Sequence, residues 1–296
     1  MAAILDDFDA RPGSVASLLR TVIGLYLREL GGWIATADLV SLTGALGIEA
    51  PQARTGIARL RAKGLLVSER RGAAGYALNP GAVPMLERGD RRIFEVRRMD
   101  PAEPWCLVSF SISEDRRGAR GMLRRRLQWM GAGLAAPGLW ICPGHLADEA
   151  EQILLDLGLR EQSTVFLSGE PRVAGELADA VARWWDLEAL AETHRGFLER
   201  VAALPLPSPL SGSPPSGSPL PPSSGSGGGS ASAAGAAFAG YARLVDAWRP
   251  IPYIDPGLPV PLLPRDWPGL ESEREFARLS AELADPAREY VRAVTA

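Results

Sequence analysis

The chain has 296 residues, 46% of them hydrophobic, and a formal net charge of −3 at pH 7. That length allows two or three folded domains, and the apolar content excludes a disordered chain. With a pI near 5.6 the protein is no non-specific nucleic-acid coat, so any nucleic-acid contact is expected on one confined patch.

The opening residues MAAILDDFDARPGS carry acid where a signal peptide carries base, and no apolar run reaches bilayer length. A cytoplasmic location without membrane contact is expected. Asp6, Asp7 and Asp9 read as a disordered acidic arm. Ser14 is an N-cap by type, and Val15, Leu18, Leu19, Val22, Leu25 and Tyr26 recur at helical spacing toward Gly31-Gly32. Trp33-Ile34 predicts a brief strand. Thr36 is expected to cap a second helix striped by Leu39, Leu42 and Leu46 and stopped by Gly47.

Pro51 suits the first turn of a third helix, and Gly64 the position just past its end. Between them Ala53, Ile57 and Leu60 share the face expected to pack inward, whereas Gln52, Thr55 and Arg59 point the other way, flanked by Arg54, Arg61 and Lys63. Leu65 to Glu69 has strand composition, Arg70-Arg71-Gly72 reads as a turn, and Gly75-Tyr76-Ala77-Leu78 as the returning strand. Helix, short strand, helix, turn, helix, hairpin is the order of a winged helix-turn-helix domain, here spanning 14–80, whose third helix enters the major groove. Gln52, Thr55 and Arg59 are then expected to read base edges, because Gln and Arg make bidentate contacts there. Arg54, Arg61, Lys63, Arg70 and Arg71 are expected to hold phosphates. Against this stand a merely solvated charged face and the protein-binding modules that share the element order.

Residues 81–104 read as a connector, with Arg88 to Arg98 a strand or linker whose cations touch phosphate or solvent. Trp105 to Ile112 predicts a buried strand, Glu114 to Trp129 a helix, Leu139 to Cys142 a strand, His145 to Leu157 a helix and Ser163 to Leu167 a strand. That succession suggests a ferredoxin-like α+β domain over 105–172. Its arginine-rich helix has two readings, anion binding and an exposed face; on the first, Arg116, Arg117, Arg120 and Arg124 are the candidate effector ligands. Cys106 and Cys142 suit free buried thiols better than a disulfide. With His145 and His194 the only histidines and no CxxC, no metal site and no catalytic residue is expected.

A helical C-terminal domain is expected over 173–296. Trp184-Trp185 fits a core better than a stacking platform, and His194 fits a surface or capping role better than an effector contact. The stretch 205–235, without charge, aromatics or periodicity, reads as a disordered linker, after which Phe238 to Trp248 resumes a helix. Arg249 to Pro264 is expected to be extended, with a turn at Asp255-Pro256-Gly257. The final helix opens at Trp267-Pro268-Gly269 and turns Phe276, Leu279, Leu283, Tyr290 and Val291 inward.

Three sets of residues carry a family resemblance. They are Arg54-Thr55 with Ala58-Arg59-Leu60, Arg116 through Leu127 with Gly138 to Pro143, and above all Asp255-Pro256-Gly257-Leu258-Pro259 with Leu262 to Gly269. In these the chain resembles the PaaX-type bacterial repressors of phenylacetate catabolism. The resemblance implies an α+β protein of three parts: a winged-helix DNA-binding domain, a central ferredoxin-like domain similar to a small CRISPR-associated nuclease, and a helical C-terminal domain. It also implies a homodimer on a double-stranded operator, released by an effector such as phenylacetyl-CoA or a related acyl-CoA thioester, with no resident cofactor. Those nucleases place a metal-binding aspartate after their first strand, where this chain reads Ser109-Phe110-Ser111-Ile112-Ser113. The expectation is therefore a non-enzymatic, ligand-responsive transcriptional repressor; a metal-dependent nuclease or thioester hydrolase is the alternative.

Overall fold

The computed structural model describes residues 11–205 and 228–296, with the side chains of 228–232 left aside. The acidic arm at Asp6 to Asp9 and the linker stretch 206–227 lie outside them. The architecture is mixed α and β, with two antiparallel sheets. Its described residues divide into two compact units, one drawn from 1–89, 199–247 and 274–296, the other from 90–198 and 248–273.

In the first unit, α1 (Val15–Tyr26) opens at Ser14, whose hydroxyl accepts from the Ser17 amide as an N-cap should. The chain leaves the helix sooner than expected and turns through Gly31 and Gly32, both at positive φ. Strand β1 (Trp33–Ala35) follows, then α2 (Thr36–Ala45). Ala35 occupies the cap position without a side-chain bond, so Thr36 is the first helical residue and not the cap. Gly47, at φ +71, ends the turn and leads into α3 (Ala50–Ala62), with Pro51 in its first turn. Strands β2 (Leu66–Arg71) and β3 (Ala73–Leu78) form a hairpin in which Arg71 pairs with Ala73, so Arg70 and Arg71 belong to the strand and Gly72 alone makes the tip. β3 also pairs with β1, giving the order β1-β3-β2. The core is the inward face read from sequence: Leu19, Leu39, Leu42, Ala53, Ile57 and Leu60 are all buried.

The expected connector, 81–104, contains a helix. A turn of 3-10 helix at Pro80–Ala82 runs into α4 (Val83–Phe94). Pro84 sits in its first turn, where a missing N–H costs nothing, and Gly89 is buried within it, which disguised the helical stripe.

Helix α9 (Gly228–Trp248) begins ten residues before the expected start at Phe238; the alanines at 233, 234, 236 and 237 favour the helix there, while Gly235 does not. Gly235 belongs to the helix and not to a linker; a Cβ there would lie 3.3 Å from Tyr290. Phe238 stacks between Tyr26 (5.9 Å) and Tyr290 (5.4 Å). The final helix, α11 (Gly269–Thr295), buries Phe276, Leu279, Leu283 and Val291 as expected. Residues after 173 fall in both units, 199–247 and 274–296 in the first and 173–198 and 248–273 in the second.

The second unit is built on a four-stranded sheet of order β5-β6-β4-β7, every neighbouring pair antiparallel. Its strands are β4 (Trp105–Phe110), β5 (Gly133–Ala136), β6 (Leu139–Pro143) and β7 (Ser163–Ser168). Strand β5 was not anticipated, since Gly-Leu-Ala-Ala is short and lacks β-branched residues. Helices α5 (Arg117–Trp129) and α6 (Ala147–Asp156) cover one face through Leu123, Leu127, Ala150 and Leu154. Cys106 and Cys142 are direct cross-strand partners, both buried and both free. Helices α7 (Leu177–Trp184) and α8 (Leu187–Ala202) follow, separated at Trp185, whose backbone is extended.

The opposite face of this sheet carries Trp105, Ile141, Trp185, Leu258 and Trp267. The tryptophan pair is indeed packing material, and the Trp185 indole donates to the Gly131 carbonyl at 2.8 Å. Arg249 to Pro264 is not wholly extended, because a one-turn helix α10 (Ile251–Ile254) and a 3-10 turn at Val260–Leu262 interrupt it. At the Asp255-Pro256-Gly257 turn, Gly257 has φ +72, and an added Cβ would fall 2.1 Å from the Arg97 carbonyl. Only glycine allows that approach. His194 is no surface residue: it is 1% exposed, its Nε2 lies 3.0 Å from Asp255, and Trp248 and Trp267 flank its ring.

Candidate nucleic-acid interface

Helix α3 separates its two faces sharply. Ala53, Gly56, Ile57 and Leu60 are buried, whereas Gln52, Arg54, Thr55, Arg59, Arg61 and Lys63 are exposed. Its N-cap residue, Glu49, makes no side-chain capping bond.

The helix can lie close to α1 because residue 56 is glycine. A Cβ there would stand 2.3 Å from Leu19 Cδ1 and 3.2 Å from Val15 Cγ1. Between the start of α1 and the outward face of α3 runs an open groove of 350 Å³, lined by Val15, Ala16, Pro51, Gln52, Thr55, Gly56 and Arg59. All three residues expected to read bases therefore border one concavity.

Their chemistry differs in detail. The Thr55 hydroxyl donates back to the Pro51 carbonyl at 3.0 Å, leaving its oxygen to accept and its methyl to make apolar contact. Arg54, Arg59 and Arg70 have no ion-pair or hydrogen-bond partner among the described residues, so their guanidinium donors face solvent uncommitted. Arg61 donates to Ser68 on the hairpin at 3.0 Å, tying the end of α3 to β2. Arg71 pairs with Glu69 at 2.5 Å and lies 5.9 Å from the Trp33 ring centroid, while the Trp33 indole donates to the Glu69 carbonyl at 3.2 Å. The expected phosphate-holding set thus contains uncommitted cations, Arg54 and Arg70, together with two that the protein itself aims, Arg61 and Arg71. Sequence reasoning missed Glu69 and Trp33 as the residues that orient Arg71, and Val15 and Ala16 as the far wall of the groove.

The arginines of the central domain sort differently. Arg116 donates to the Gly158 carbonyl at 3.1 Å and to Gln162 at 3.3 Å, and Arg120 pairs with Glu114 at 2.8 Å. Of the four candidate effector ligands, only Arg117 and Arg124 are exposed without a protein partner among the described residues. Two arginines of the connector are structural. Arg92 donates to Glu149, the Pro252 carbonyl and the Met130 carbonyl, and Arg98 donates to the Leu258 carbonyl and pairs with Glu273. No group of three His, Cys, Asp or Glu among the described residues is placed to hold a metal ion, and no described helix is long and apolar enough to cross a membrane.

The elements define an α+β protein with an exposed basic helix and hairpin at its N-terminal end and a small antiparallel sheet domain at its centre. This chain belongs to the PaaX family. Residues 14–80 match the family model "PaaX-like protein", 99–180 the "PaaX protein central Cas2-like domain" and 227–293 the "PaaX-like protein C-terminal domain". It is 24% identical over 288 residues to the Transcriptional repressor PaaX of Escherichia coli (strain K12), covering 96% of this chain and 84% of that protein. Among solved structures it is similar to the uncharacterized protein Rv0674 from Mycobacterium tuberculosis. That match has a TM-score of 0.57 at 21% identity, covering 94% of this chain and 99% of the other.

Proposed function

We propose that this protein is a DNA-binding transcriptional repressor whose 14–80 region works as a winged helix-turn-helix and whose central domain is ferredoxin-like. The observation that carries the reading is the outward face of α3. Gln52, Thr55 and Arg59 border a groove, uncommitted arginines stand at Arg54 and Arg70, and Arg71 is aimed from the adjoining hairpin. That combination supplies base-edge donors and acceptors together with cations for the backbone. Similarity to a repressor of Escherichia coli supports the same reading. The function needs two copies, because paired half-sites require a two-fold axis, so the working form is a homodimer on an inverted repeat. In this reading an aryl-CoA thioester such as phenylacetyl-CoA releases the operator, its phosphates meeting Arg117 and Arg124. Release requires that the effector favour one of two protein states, since equal affinity for both shifts nothing.

Mobility shifts on the promoter region of the chain's own gene neighbourhood test the proposal. Arg59→Ala should weaken the best site by roughly 1–3 kcal/mol while leaving random duplex nearly untouched. Arg70→Ala should weaken both alike and lower the salt slope by about one. Unchanged operator affinity in Arg59→Ala means that α3 does not read the site. Phenylacetyl-CoA that neither binds nor releases the complex removes that effector and leaves the repressor reading in place.

A further inference from the structure

Asp246 is an isolated acid in the apolar second half of α9, and it is 1% exposed. Its carboxylate accepts from three groups around the start of α1: the Gly13 amide at 2.6 Å, the Ser17 hydroxyl at 2.5 Å and the Thr21 hydroxyl at 3.0 Å. Ser17 and Thr21 are themselves buried, one helical turn apart. One turn before Asp246 in α9, Arg243 donates to the Leu46 carbonyl at 2.9 Å, at the exit of α2 and beside the Gly47 turn that leads into α3. A single helix from the C-terminal region thereby holds both supports of the proposed reading helix: α1, on which Gly56 rests, and the turn that aims α3. All of these residues fall in one compact unit.

We infer that α9 is a built-in part of the DNA-reading unit, and that Asp246 and Arg243 are positioning residues that set the orientation of α3 without touching DNA. The inference rests on the repressor reading above. Its physical basis is that charge-assisted hydrogen bonds are short, directional and among the stronger polar contacts, so three of them on one buried carboxylate fix where α1 begins. The start of α1 supplies Val15 and Ala16, the wall facing Gln52 and Arg59 across the groove. A small rotation of α1 against α3 changes that spacing before it unfolds anything. Base-edge contacts depend on sub-ångström placement in a way that phosphate contacts through flexible arginines do not, so the loss should fall on sequence discrimination.

The test uses full-length protein carrying Asp246→Asn, which keeps the side chain's shape but gives up one acceptor oxygen, and separately Arg243→Gln. Operator and random-duplex affinities are measured side by side, together with hydrogen exchange of the α3 amides and circular dichroism. Expected are unchanged helicity, operator affinity lower by about tenfold in Asp246→Asn and less in Arg243→Gln, random-duplex affinity and salt slope unchanged, and faster exchange in α3. A double variant Ser17→Ala, Thr21→Val should reproduce the Asp246→Asn pattern. Folded variants that keep the wild-type ratio of operator to random affinity overturn the inference. So does an equal loss on both duplexes, which is what general loosening would produce. If wild-type protein shifts no duplex at all, the repressor reading fails instead, and the exchange rates of α3 still decide whether Asp246 positions it.

Discussion

At the scale of single residues, several ionisable groups settle matters that composition leaves open. His145 follows strand β6 and sits beside Arg97 and Arg92, with a hydrogen bond to the Pro256 backbone. Burial first, and the two arginines next, lower its pKa to about 4. Below pH 6.5 the unfolded chain takes up a proton that the folded chain refuses down to about pH 4, so stability is present above 6.5 and is lost as pH falls through that window. Glu273, held above the usual carboxylate range mainly by burial, pulls the other way at the acid end, so the comparison must be differential. His145→Gln should flatten the fall in urea midpoint between pH 6.5 and 4 relative to wild type; parallel curves would show that the histidine titrates normally in the fold. Asp255 lies below the usual aspartate range despite its burial, because the His194 hydrogen bond and the nearby Arg98 favour its charged form. Its contribution is lost only in stronger acid, outside the His145 window.

At the scale of elements, the decisive contact of the candidate interface is the crossing of α1 and α3. Gly56→Ala adds one methyl facing Leu19 Cδ1 at 2.3 Å and Val15 Cγ1 at 3.2 Å, and Leu19 is fully buried, so it can yield only by repacking the core around it. Overpacking of this kind costs about 1–3 kcal/mol, against a gain of roughly 1 kcal/mol from replacing glycine inside a helix. A net loss of stability is expected, visible as a lower thermal midpoint in the same buffer; a rise would mean that the crossing relaxes freely. This element was legible from the sequence because Ala53, Ile57 and Leu60 repeat at helical spacing and Pro51 and Gly64 bracket them. Elements with weaker signatures were not. Strand β5 has four small or aliphatic residues and gains its place only from pairing with β6. Helix α4 hides its stripe behind Pro84 and Gly89, and the first turns of α9 look like linker until Tyr290 packs on Gly235. For the site, sequence named the outward residues of α3, but the groove wall at Val15 and Ala16 and the Glu69–Arg71–Trp33 arrangement arise from tertiary contacts that carry no local pattern.

At the scale of the whole chain, the family models separate 14–80 from 227–293, whereas the compact unit that carries α3 also takes in 199–247 and 274–296. Much of what buries α1 is therefore contributed from far along the chain. Tyr26 is stacked by Phe238, Ser17 and Thr21 are held by Asp246, and Glu29 pairs with Arg288 at 3.0 Å. A fragment ending at residue 104 would expose that aromatic face and leave two buried hydroxyls to solvent. It would keep a core of well under a hundred residues, a size at which net stability is a few kcal/mol at most. Losing one fully buried aromatic contact of this kind removes about 1.5–3 kcal/mol of burial, enough to consume that margin. The expectation is that residues 1–104 alone show helical far-ultraviolet dichroism without a cooperative thermal transition, and bind a hydrophobic dye that the full chain does not. A cooperative melt with native near-ultraviolet dichroism would show instead that four helices and a three-stranded sheet suffice, and that α9 and α11 merely lean on a domain already complete.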